Sequence, residues 1–175
     1  MSPDEILAFV RARKVYELLE LHGAILEELR LRRIVRSSNG IIGDYAEYLF
    51  AKAFGWELVG NSQIGYGYDA RDADGHSYQI KSRRITPHNE SRQLSPLRGL
   101  PEKGFDFLAG VLFNVDCSIY RGVILPHSVI EPRCRFSKHT DGWLFRLEDD
   151  VWQMPEARDV TLELKSAAAA LVAVA

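Results

Sequence analysis

Asp69, Gln79 and Lys81 can act together only if the chain folds back between the first and the other two, and the intervening residues invite that fold. Tyr66 to Arg71 and Ser77 to Arg84 have strand composition, and Asp72-Ala73-Asp74-Gly75 between them is a turn cluster. Register decides which side chains meet, because a slip of one residue sends every side chain of a strand to the opposite face. A two-residue Asp74-Gly75 turn would pair Ala73 with His76 and set Asp69 opposite Ile80. A three-residue loop, Ala73-Asp74-Gly75, is a type I turn plus bulge that takes glycine in the left-handed region at its last position. It pairs Asp72 with His76 and hence Asp69 with Gln79, leaving Lys81 as the diagonal neighbour about 7 Å away on the same face. One face then carries Gly67, Asp69, Gln79 and Lys81, while Tyr68, Ala70, Tyr78 and Ile80 point the other way into a core. An acid, an amide oxygen and an amine on adjacent strands form a cation site with an ammonium beside it. Oxygen ligands suit Mg2+, and the ammonium can orient or deprotonate a water, a layout fit for cleaving phosphodiesters.

With Asp69 as the first acid and Gln79-Ile80-Lys81 as a (D/E)xK element, the sequence resembles the restriction-endonuclease-like superfamily of PD-(D/E)xK nucleases over roughly Gly40 to Leu125. Tyr68 stands where the pattern has proline, and Gln79 replaces its second acid, making this a Gln-x-Lys variant. The resemblance implies an α/β fold with a restriction-endonuclease-like core, a mixed central β-sheet flanked by helices. It implies an ion, Mg2+ or Mn2+ in its place, held by Asp69, Gln79, the Ile80 carbonyl and Glu47, with Lys81 positioning the attacking water. Glu47 enters because in this superfamily a glutamate on the helix before the core hairpin often completes the metal site. The implied activity is metal-dependent hydrolysis of double-stranded DNA, restriction-type first and repair or junction processing next. Cutting both strands needs two sites, so a homodimer is expected. The rivals are a non-cleaving nucleic-acid-binding module and a protein-interaction domain that inherited the fold.

The elements that must position these residues are partly legible. Ser2-Pro3-Asp4-Glu5 is a helix start, with a serine cap, proline at the first helical position and glutamate placed for a capping box. Ile6, Val10, Val15, Leu18, Ile25 and Leu29 then recur at helical spacing, which predicts one long helix, or two broken at His22-Gly23, reaching about Arg36. This extension either packs on the sheet or forms a dimer interface. Arg30, Arg32, Arg33 and Arg36 touch phosphate or simply complement the helix dipole. Ser37 to Gly40 recaps, and a second helix runs from about Ile41 to Phe54, ended by Gly55, with Ile42, Ala46, Leu49, Ala53 and Phe54 as its apolar stripe. Gly40, Gly43 and Glu47 lie along another face of it.

Trp56 to Val59 reads as a short strand, and Gly60 to Gln63 as the lead into the hairpin. Ile85 to Gly104, with its prolines and polar residues, reads as a long loop, and loops of that length are usually functional or mobile. Arg83, Arg84, Arg92, Gln93 and Arg98 are its candidate phosphate and base-edge contacts. Phe105 to Phe113 is a nearly continuous apolar run, the pattern of a strand buried on both faces. Ser118 to Leu125 supplies another strand, with a short helix beginning at Pro126. Asp106 is weighed as a further acid of the site against a hydrogen-bonded residue at a strand entry. Gly142 to Leu147 and Val151 to Met154 read as peripheral strands, and Val160 to Ala175 as a terminal strand or an alanine-rich helix. The whole is one domain, 1–175: a helical extension (1–36), a catalytic core (40–130) and a peripheral C-terminal segment (131–175).

Composition sets the outer bounds. Of the 175 residues 46% are hydrophobic and 26% charged, a globular balance. The start carries Asp4 and Glu5, unlike a signal peptide, and no apolar run approaches the ~20 residues of a membrane span. Two cysteines make no disulfide framework, and a cytoplasmic setting is expected. The five histidines lack zinc-ligand spacing, and nucleophile elbows and Walker loops do not occur. The net charge of -2 does not advertise a nucleic-acid binder, but its distribution is uneven. Six basic residues face two acids between Lys81 and Lys103, whereas seven acids face Arg146 and Arg158 between Asp141 and Glu163. That contrast favours an anionic-ligand face after the Lys81 strand.

Overall fold

A computed structural model describes residues 1–36, 40–59 and 67–172. Its centre is a six-stranded mixed sheet flanked by helices, in the order β1 (Glu57–Leu58), β2 (Ala70–Arg71), β3 (Ser77–Arg84), β4 (Phe107–Phe113), β5 (Ile119–Pro126), β8 (Arg158–Asp159). Only β3 and β4 run parallel; the other neighbours are antiparallel. A separate small hairpin joins β6 (Arg135–Ser137) to β7 (Gly142–Leu144). β4 is buried along nearly its whole length, as its apolar run requires of a strand with packing on both sides.

Each face of the sheet covers its own core. On one, Ala70, Tyr78, Ile80, Val111 and Phe113 pack against α3 (Ile41–Phe54) and α5 (Thr161–Val172). α3 inserts Ala46, Leu49 and Phe50, with Ile42, Ala53 and Phe54 half-buried, and stops where Gly55 turns left-handed at φ 69°. On the other face, Leu108, Leu112, Val123 and Leu125 meet Leu94, Leu97 and Leu100 of the long loop together with Phe145, Leu147 and Val151. This second core has little helical cover beyond α4 (His127–Ile130), which contributes Ile130. The connection from β3 to β4, residues 85–106, carries no helix or named strand and is held by side chains and isolated bridges.

The N-terminal residues fold as α1 (Pro3–Arg11) and α2 (Val15–Leu31), so the break falls at residues 12–14 and not at His22-Gly23. The Lys14 N–H donates to Glu17 Oε2 at 2.7 Å and restarts the helix there. Gly23 is carried inside α2, since a mid-helix glycine costs only about 1 kcal/mol against alanine. Two further expectations are corrected. Asp149–Gln153 is a short 3₁₀ segment that buries Val151, where the sequence suggested a strand at Val151 to Met154. The segment placed at the periphery joins the main fold: β8 pairs in the central sheet, and over Thr161–Val172 the chain takes the helical of its two readings, with Val160, Leu164 and Ala167 buried in the first core. The recapping residues 37–39 and the lead-in from Gly60 through Tyr66 lie outside the described residues.

Candidate functional site

The hairpin takes the bulged register. Ala70 pairs with Tyr78 and Arg71 with Ser77, and the Asp72 N–H meets the His76 carbonyl at 3.1 Å. Gly75 closes the loop at φ +88°, donating to the Asp72 carbonyl at 3.1 Å. The Asp72 side chain fastens the turn: Oδ1 accepts from the N–H groups of Asp74 and His76, and Oδ2 from the Tyr78 hydroxyl at 2.7 Å. Burial alone would raise its carboxyl, but the hydrogen bonds from Tyr78 and His76 prevail and hold it below the ordinary aspartate value. Asp72, Asp74 and His76 could bring three ligand atoms within 4.8 Å of one another. Their described contacts nonetheless serve the turn itself. Tyr78 is stacked between Trp56, at 3.7 Å between ring centroids, and Phe107, at 5.3 Å, which locks β3 against α3.

One residue beyond this ladder the backbone of β2 leaves β3 and a side chain takes its place. The Asp69 N–H still reaches the Tyr78 carbonyl at 2.7 Å, but its Oδ2 turns back to accept the Ile80 N–H at 2.7 Å and the Gln79 side-chain amide. Lys81 Nζ stands 3.9 Å from the same oxygen. Asp69, Gln79 and Lys81 therefore share one face, as the bulged turn requires. Gln79 is buried, and the side chains of Asp69 and Lys81 are about a quarter and a fifth exposed. Burial lowers the Lys81 ammonium from its ordinary value; Asp69 opposes that shift and Arg98 adds to it. The Ile80 N–H points to the β2 edge, and in an extended residue the carbonyl points to the same edge, where the ladder has opened.

Tyr68 departs from the expected alternation. It packs with the second core, and Arg71 lies 4.8 Å over its ring, so it does not join Ala70, Tyr78 and Ile80. Gly67, at φ +76° and against Gly104, precedes it, so the regular strand begins only at Ala70.

Glu47 is on α3 as expected, with its side chain largely covered, but its described partner is Arg36, not the hairpin. Arg36 also donates its N–H to Asp44 at 2.7 Å and a guanidinium nitrogen to the Val59 carbonyl at 3.1 Å. Val59 in turn donates to the Asp69 carbonyl at 2.9 Å, so Arg36 is the link between Glu47 and the Asp69 strand. Nothing in helical spacing singles Arg36 out; only its position just ahead of a helix whose first two turns carry Asp44 and Glu47 hinted at it. Arg30 and Arg32, weighed with it, pair with Glu27 and Glu28 of their own helix.

Asp106 is the hydrogen-bonded strand-entry residue of its two readings. Its Oδ2 accepts the Ser77 N–H at 2.9 Å and hydroxyl at 2.8 Å, and these bonds lower its carboxyl from the ordinary value.

The five candidate nucleic-acid contacts do not form one surface. Arg83 shares Lys81's face by strand alternation and donates to the Ser91 carbonyl at 3.1 Å, whereas Arg84 projects to the opposite face near Cys117. Arg92 is tied to Asp149 at 2.7 Å and to the Tyr120 hydroxyl, and Gln93 bridges Arg146 through the backbone. Arg98 is exposed. No helix of the described residues is long and apolar enough to cross a membrane. The chain matches no model of a known protein family, and no curated protein matches it either.

Proposed function

We propose that this chain is a metal-dependent endonuclease that hydrolyses DNA phosphodiesters, restriction-type first and repair or junction processing next. The carrying observation is the convergence of Asp69, Gln79 and Lys81 at the point where β2 parts from β3. The donor chemistry fits a hard cation. Asp69 Oδ1 has no described partner, the Ile80 carbonyl faces the opened edge, and turning the Gln79 amide about its last bond would present an oxygen in place of the nitrogen. Glu47 would add a second carboxylate once released from Arg36. The group these residues would hold is Mg2+, or Mn2+, which when bound offsets charge on a phosphate. Asp69 fixes the edge, Gln79 floors it, and Lys81, with its ammonium made less stable by burial, orients a water. Arg83 and Arg98 are the cations best placed to meet the backbone of duplex DNA on this side.

One observation favours a non-cleaving nucleic-acid-binding module instead: both carboxylates are engaged inside the protein, Glu47 by Arg36 and Asp69 by Gln79 and Ile80. Supercoiled plasmid with Mg2+ or Mn2+ separates the two. The nuclease reading expects nicking that falls about 100-fold or more in Asp69→Ala and Lys81→Ala, in keeping with the loss of a positioned catalytic group. Retained DNA binding without nicking on any topology, or undiminished nicking by both variants, overturns it.

A further inference from the structure

We infer that α1 is the contact surface of a two-fold homodimer in which it packs antiparallel against α1 of a second copy, with Asp4 of each paired to Arg11 of the other. The inference stands on α1 and does not depend on the nuclease reading. None of the nine residues of α1 is buried. Ile6, Leu7, Phe9 and Val10 are 49%, 45%, 40% and 37% exposed, and they lie on one side of the helix. Val15 and Leu19, at the start of α2, are 75% and 68% exposed as well. A helix this short is marginal in water when nothing packs on it, below the roughly 12–15 residues an isolated helix needs. The capping box of Ser2 and Glu5 helps its first turn but covers none of this face.

The charges select a second copy and an orientation. Among the described residues neither Asp4 nor Arg11 has an ion-pair partner, whereas Glu5 is spent on the Ser2 N–H and Arg13 lies 4.2 Å over the Phe9 ring. Asp4 and Arg11 are seven residues apart, which is two turns less about 20°, so both stand on the Leu7 flank of the apolar face. Within one helix they are about 10 Å apart along the axis and cannot pair. A two-fold axis beside Leu7 brings like flanks together with the helices reversed, so residue i meets j and j meets i, and Asp4–Arg11 pairs form twice. A parallel pair would set Asp4 toward the opposite flank, where Glu5 stands.

Sedimentation of the full chain across protein concentration at low salt tests this. The wild type is expected to dimerise, and Phe9→Glu combined with Val10→Asp to be monomeric with the unfolding midpoint of its core unchanged. Asp4→Arg and Arg11→Asp are each expected to weaken the dimer about 3- to 30-fold, and together to restore it, since two surface ion pairs are broken and then remade with signs exchanged. A wild type that stays monomeric overturns the inference, as does a dimer that survives the Phe9 and Val10 changes. Failure of the double exchange to restore association overturns the antiparallel pairing. A monomeric wild type that binds anionic phospholipid vesicles through α1 assigns the face to a lipid surface instead.

Discussion

At the scale of single residues, the hairpin is held by carboxylates that replace backbone partners. Asp69 finishes the β2–β3 ladder with its side chain, and Asp106 does the same where β3 begins beside β4, accepting both donors of Ser77. Asp106 uses an ionised oxygen where a neutral one would bind less strongly. Asp69 is thereby already partnered on one oxygen before any ligand arrives, and Lys81 shares that oxygen. Asp106 gives a test by pH. Its hydrogen bonds with Ser77 depress its carboxyl in the folded state, so its stabilising contribution is complete above the unfolded value near 3.8 and is lost as pH falls through the lower folded value. Asp106→Asn is expected to lower stability at neutral pH by about 1.5–3 kcal/mol, the range for hydrogen bonds to a charged group. In denaturant unfolding followed from pH 7 downward, the gap between variant and wild type should close below about pH 4. A gap that stays constant into acid would show that the ionised carboxylate is not what holds the start of β3.

At the scale of elements, α5 reaches the sheet because β5 offers it a glycine. The Gly122 N–H donates to Thr161 Oγ1 at 3.0 Å and its carbonyl accepts the Val160 N–H at 3.1 Å. A Cβ at Gly122 would stand 2.5 Å from Leu164 Cδ1, and Leu164 is fully buried in the first core. Gly122→Ala is therefore expected to push α5 outward and cost about 1–3 kcal/mol, read as a lower midpoint in chemical denaturation. Leu164→Ala in the same chain should recover part of that loss by making room, whereas strictly additive losses would refute the clash. The glycine of this contact is not marked in the sequence, since β5 and α5 are far apart along the chain. What was legible follows from local chemistry. β3 at Ser77–Arg84 and the end of α3 at Gly55 were readable because turn residues and alternation bound them on both sides. The meeting of Asp69 with Gln79 was readable because Gly75 has a single economical place in a bulged loop. Tyr68 escapes the alternation because it follows Gly67 at φ +76°, ahead of the point where the regular strand begins. The pairing of Arg36 with Glu47 carries no local mark, because ion pairs between distant segments leave no period. Val151 to Met154, with its apolar residues, has strand composition, but the fold buries Val151 from the 3₁₀ segment Asp149–Gln153.

At the scale of the whole molecule, the uneven charge of the sequence is partly answered within the fold. Arg92, from the basic stretch after Lys81, pairs with Asp149 of the acidic stretch at 2.7 Å, and Arg121 reaches Asp149 at 3.7 Å and Asp159 at 3.4 Å. Arg133 pairs with Asp150 at 3.0 Å. The basic and acidic stretches thus meet at Arg92–Asp149, and further acids of the second stretch are paired to Arg121 and Arg133. Asp149 is the shared acid, two-thirds exposed, so its pairs contribute little to stability, about 0–1 kcal/mol. Their effect is on the external field: Asp149 neutralises cations that would otherwise meet a polyanion. Asp149→Asn should leave the unfolding midpoint nearly unchanged while raising the salt needed to elute the chain from a phosphate or DNA resin. If Arg92 and Arg121 then each reach a DNA phosphate, the slope of log affinity against log salt should steepen by about 0.9 per new contact. An unchanged slope would mean that Arg92 and Arg121 do not meet nucleic acid even when they are free, and would leave any DNA contact to other cations such as Lys81, Arg83 and Arg98.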